Sequence, residues 1–133
     1  MATDIENELE RTTRLRGFRY GLHDFIAQLW GAETLKKHND NTESNYLKKG
    51  LLDRKAKEMA IVVACIAQKD LVSHLQLHMH AAHKAGASPE EILETIKLVG
   101  GWIGTVAKIG GLEAWRATFR PDIPSIDRVV ELR

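Results

Sequence analysis

The residues best suited to chemistry are two histidines and an acid: His74 and His78 within LVSHLQLHMHAAHK, and Glu58 in the preceding DRKAKEM. At about 100° per residue on a helix beginning near Asp70, Leu71, Leu75, His78, Ala82 and Ala85 share one arc, with His74 at its edge. His78 is therefore aimed at the core. His80 and Lys84 face the other way and His83 lies off the arc, so the histidines do not form one cluster. An imidazole in apolar surroundings, with a carboxylate or second imidazole to orient it, is suited to general acid/base work. The same His78 also reads as a plain core residue held by a hydrogen bond, and Glu58 as an exposed partner of Arg54 or Lys55. Histidines at i and i+4 can share zinc, but Leu75 stands where HExxH has its glutamate, and no third ligand is evident beyond Glu58. The expectation is no metal and no cofactor.

The elements that must position these groups are helical. Few prolines and many Ala, Leu, Glu and Lys predict an all-α chain, a bundle of about six helices in a single domain over 1–133. The net charge of +1 has its acids and bases interspersed, which argues against nucleic acid and against a membrane surface. With no apolar leader and no apolar run near about 18 residues, the expected location is cytoplasmic. The one cysteine, Cys65 in AIVVACIA, has no disulfide partner and is expected to be buried and inert.

Along the chain, residues 3–30 carry apolar positions at helical spacing, with Thr3 or Asp4 as N-cap and a break near Gly17 and Gly21. The polar run 32–49 predicts a weak helix, or two short ones around a solvated HNDNTES loop. DRKAKEMAIVVACIAQ, apolar on nearly every side in its second half, predicts a central helix surrounded by others. Gly86 followed by Ser88-Pro89-Glu90-Glu91 is a helix stop and a capping box with proline at the first helical position. Ile92, Ile96 and Val99 form the next inward stripe, and Gly100, Gly101 and Gly104 around Trp102 predict a break or a close approach. For Trp102 itself, core packing is the plainer reading beside that of a pocket wall. Val106, Ile109, Leu112 and Trp115 mark a helix over about 104–118. The tail's Ile126, Val129, Val130 and Leu132 are expected to dock on the body or on another subunit.

Three stretches together, GLLDRKAKEMAIVVACIA, LxLHMHAAHKAGASPEEILETI and GGWIGTVA, resemble the carboxymuconolactone decarboxylase family, related to the alkyl hydroperoxidase D family. The likeness covers about residues 50–110, and RYGLHDFIAQLWGAE more faintly. A histidine eight residues before the glycine of an AGxSPEEI-type turn carries it: His78 and Gly86 fit. Gly104 matches the family's later glycine, and Trp102 stands where an aromatic residue is common. The peroxidase branch has cysteines seven and four residues before the matching histidine, where this chain has Leu71 and His74. Without that thiol pair, thiolate attack and disulfide formation cannot occur. NYLKKGLLDR also replaces the tryptophan, arginine and proline common in the decarboxylase branch. One extra residue between Glu58 and His78 requires a gap near Gln68 if Glu58 is the family's acid.

The resemblance implies an alkyl hydroperoxidase D-like fold and a lyase of aromatic-compound catabolism that decarboxylates a small carboxylic acid or lactone. In that reading His78 is the general acid/base, His74 or Glu58 orients it, and Trp102 and Gly104 border the substrate. It also implies a homo-oligomer, a trimer or hexamer. The alternative from another class is a non-catalytic oligomeric protein that binds a small molecule in the same fold.

Overall fold

A computed structural model describes residues 3–133, which form two compact units, one ending at Leu51 and the other spanning Leu52–Arg133. Among the described residues there are six α-helices, one π-helical turn and no strand, the all-α class expected.

The first unit holds α1 (Asp4–Arg16), α2 (Gly21–Asn41) and the π-helical turn Thr42–Leu47. Thr3 caps α1 reciprocally: its hydroxyl accepts from the Glu6 N–H at 3.2 Å, and the Glu6 carboxylate accepts from the Thr3 N–H at 2.7 Å. Gly17, left-handed at φ 79°, ends the helix as its spacing predicts. Gly31, at φ 87°, kinks α2.

The expected loop within 32–49 is not a loop, because its Asn39 is fully buried against α1. Thr12 Oγ1 and Arg16 Nη1 donate to Asn39 Oδ1 at 3.0 and 2.8 Å, and its Nδ2 donates to the Glu8 carbonyl and carboxylate. Ile26, Ala27 and Leu35 add a small apolar cluster with Leu9 packed against it. A polar run thus stays helical through its partners on the neighbouring helix.

The second unit packs α3 (Arg54–Ala67), α4 (Val72–Lys84), α5 (Pro89–Ile103) and α6 (Thr105–Phe119) around Val62, Ile66, Leu75, Met79, Ile92 and Ile96. Helix α3 is not enclosed as expected: Glu58, Val62 and Ile66 form its one buried stripe, and Ala60, Ala64 and Ala67 are exposed. Helix α6 turns Ala107, Gly111 and Ala114 inward and leaves Val106 and Ile109 outside. Close approach explains the choice, since a Cβ on Gly111 would lie 3.2 Å from Ile66 Cδ1. The glycine cluster behaves as predicted, with Gly104 (φ 101°) joining α5 to α6.

Both ends of the α3–α4 hairpin close with the same pair of backbone bonds. After α4, the Gly86 and Ala87 N–H groups donate to the His83 and Ala82 carbonyls, and Ser88 and Pro89 then start α5 as the sequence predicts. After α3, the Lys69 and Asp70 N–H groups donate to the Ile66 and Cys65 carbonyls. Here the left-handed position, φ 56°, is held by Lys69 rather than by glycine. That turn folds Asp70 back beside Cys65, one helical turn ahead of His74.

The tail docks at its beginning only. Ser125 Oγ and the Ile126 N–H donate to Glu113, and Arg116 donates to the Ile123 carbonyl. The Arg116 guanidinium, with these donors, draws the Glu113 carboxyl down to about 2. Val129, Val130 and Leu132 remain exposed. No helix among the described residues is long and apolar enough to cross a membrane.

Candidate active site

The Asp53 side chain accepts from the Ala56 N–H at 2.8 Å and so starts α3, placing Glu58 on the same stripe as Val62 and Ile66. Glu58 is fully buried, and a buried carboxylate needs donors on both oxygens. Arg54, one turn earlier, supplies Nε and Nη2 to Oε1, each at 2.9 Å. Oε2 lies 3.3 Å from His78 Nδ1. Because Glu58 acts as acceptor toward Arg54, the consistent pairing has Nδ1–H of His78 donating to Oε2. The Nε2 edge then faces away from the carboxylate.

His78 shares the inner face of α4 with buried Leu75, Met79 and Ala82 and is 9% exposed, so it is shielded without being sealed. The His74 ring meets it edge to face, with centroids 4.7 Å apart. His74 Nδ1 in turn contacts the Asp70 carboxylate. Partial burial works against that carboxylate, but His74 and the Leu71 N–H, donating at 2.8 Å, hold Asp70 below its ordinary range. The result is two carboxylate–imidazole pairs side by side, Glu58 with His78 and Asp70 with His74.

A cleft of about 260 Å³ opens beside the second pair, lined by Ala64, Cys65, Gln68, Asp70 and His74. Cys65 is half-buried rather than buried, a correction to the sequence reading. Its inertness agrees with the structure: burial, then the neighbouring Asp70, push the thiol up to about 11.

Three of the five residues singled out by sequence, Glu58, His74 and His78, come together. Glu58 does pair with Arg54, but from a buried position and not on an exposed turn. Trp102 is 87% exposed at the end of α5, so it is neither a core residue nor packed behind the histidines of its own chain. Gly104 serves the α5–α6 joint. Leu71, assigned to the inward arc, is the exposed residue before α4. His80 is exposed as expected, while His83 Nδ1 bonds the Ala87 carbonyl at 2.8 Å and its ring packs against Phe119. Sequence reasoning passed over Arg54 as a constituent of the site and missed Asp70. Both stand four residues before the group they pair with, a helical spacing that was available to find them.

A family model described as "Carboxymuconolactone decarboxylase family" matches residues 33–117, and the chain belongs to that family. No curated protein and no solved structure matches the chain. The match runs from the second half of α2 through most of α6 and contains both carboxylate–imidazole pairs.

Proposed function

We propose that this protein is an acid/base lyase that decarboxylates a small carboxylic acid or lactone, with His78 as the catalytic residue. The observation that carries this reading is the Glu58–His78 pair, a nearly buried imidazole whose Nδ1 faces a fully buried carboxylate. Loss of CO2 from a carboxylactone leaves an electron pair that must spread into the lactone carbonyl as a dienolate, which is then protonated on carbon. Nε2 of His78 first takes up a proton from solvent, giving an imidazolium paired with Glu58 through Nδ1, and then delivers that proton to carbon. Glu58 sets the tautomer through Nδ1, and Arg54 fixes Glu58. His74 confines the His78 ring by its edge-to-face contact.

Trp102 and Gly104 border the substrate in this reading, with the exposed Trp102 brought to the site of a second copy of the chain. A homo-oligomer, trimer or hexamer, accords with exposed Leu98, Trp102 and Val106, each over half accessible.

The test is turnover of a panel of carboxylactones and β-keto acids by wild type, His78→Ala and His80→Ala. The expected result is a loss on the order of 10²–10⁴ in rate for His78→Ala and none for His80→Ala. Equal turnover by wild type and a folded His78→Ala removes the catalytic assignment. No turnover by wild type, with retained binding of these acids, favours the non-catalytic binding protein.

A further inference from the structure

Cys65, Asp70 and His74 place a sulfur, a carboxylate oxygen and an imidazole nitrogen within 4.8 Å of one another. All three line the same cleft. We propose that this cluster is a zinc site, with the fourth coordination position open to the cleft.

The spacing, Cys65-x4-Asp70-x3-His74, is produced by the backbone rather than by chance contact of distant side chains. The left-handed Lys69 and the Asp70 N–H to Cys65 carbonyl bond, 3.1 Å, fold Asp70 over the last turn of α3. The first turn of α4 then presents His74 to the same point. Tetrahedral zinc, with bonds of about 2.0–2.3 Å, holds its ligand atoms about 3.3–3.6 Å apart. Asp70 and His74 touch more closely than that and must part, while the 4.8 Å bound leaves the sulfur at most about 1 Å to close; both movements fall within the reach of side-chain torsions. The ion must displace the Cys65 thiol proton to solvent as the metal–sulfur bond forms, and a mixed sulfur, nitrogen and oxygen set selects a borderline ion able to do so. Calcium and magnesium ask for six or more oxygens, which the cluster does not have.

Three protein ligands with an open position is also the pattern of zinc that binds a water or a ligand, as opposed to a closed structural site. Gln68 lines the same cleft. The ion takes His74 away from its hydrogen bond with Asp70. It leaves the Glu58–His78 contact in place, and because the test reads metal binding and not turnover, its outcome is separate from that of the decarboxylase reading, in which His74 also has a part.

The test uses the whole chain, stripped with a chelator and titrated with Co²⁺ and then Zn²⁺. The expected result is one ion per chain, a near-ultraviolet sulfur-to-cobalt charge-transfer band, and loss of that band when Zn²⁺ displaces Co²⁺. Cys65→Ser should abolish the band. Asp70→Asn and His74→Gln should each weaken binding on the order of tenfold or more. His80→Ala should change nothing. Circular dichroism checks the fold of each variant, with Cys65→Ala standing in if Cys65→Ser does not fold. Absence of the band in wild type overturns the proposal, as does zinc binding that Cys65→Ser leaves unchanged.

Discussion

Among the described residues two histidines are buried, one in each compact unit, and their surroundings differ in kind. His23, 4% exposed, stands in the first turn of α2, where its Nδ1 accepts the Tyr20 N–H at 3.0 Å and its ring lies 5.6 Å from His38. Burial first, then the nearby Arg16 and His38, push its pKa down to about 4. It is a neutral acceptor in a polar core. His78 is buried to a similar degree but faces a carboxylate, so its ring donates where that of His23 accepts. Burial alone therefore does not mark a catalytic histidine; the group opposite the ring decides what it can do.

The largest expected effect tests the carboxylate side of this contrast. Glu58→Ala removes the acceptor shared by the part-exposed Arg54 guanidinium and the His78 ring, and two hydrogen bonds to a charged group lost together cost about 3–5 kcal/mol. Urea denaturation of wild type and variant measures it. A loss below about 1 kcal/mol, the range of an exposed ion pair, would erase the distinction between the two sites.

The next effect belongs to His23 and has a definite sign. Its pKa is about 4 in the folded chain against 6.5 when unconstrained, so on acidification the unfolded chain takes up the proton first. The contribution is whole above about pH 6.5 and disappears as pH falls toward 4, reaching up to about 3 kcal/mol. Stability against pH for wild type and His23→Asn should show the acid-side slope flattened in the variant. Parallel curves would count against a neutral His23.

The smallest effect concerns the hub of the polar core. Asn39→Ala strips the acceptor from Thr12 and Arg16 and the donor from Glu8, for about 2 kcal/mol. A thermal melt indistinguishable from wild type would mean that the amide network does not hold α1 to α2.

The helices were legible wherever local chemistry defines them. Thr3 with Glu6, Gly17, and Gly86 with Ser88-Pro89 each end or start a helix by bonds reaching three to five residues, so a short window contains the whole cause. The approach of Glu58, His74 and His78 was legible for a related reason: periodicity sets the face a residue occupies, and α3 and α4 are joined by a short turn. Asn39 was not legible, since its helix depends on partners from 23 to 31 residues away. The inward face of α6 was hidden too, because hydrophobicity favours Val106 and Ile109 while close packing against Ile66 favours Gly111.

What the sequence by itself determined is the all-α class, the family, most helix boundaries and the grouping of two histidines with one acid. These follow from short-range bonds and from the 3.6-residue period, both of which are local. Only the tertiary structure decided that Glu58 is buried, that Asp70 partners His74, that Cys65 joins that pair in a cleft, and that Trp102 is exposed. Those outcomes depend on how closely helices approach and on one lysine held in a left-handed turn, and neither is written in periodicity or composition.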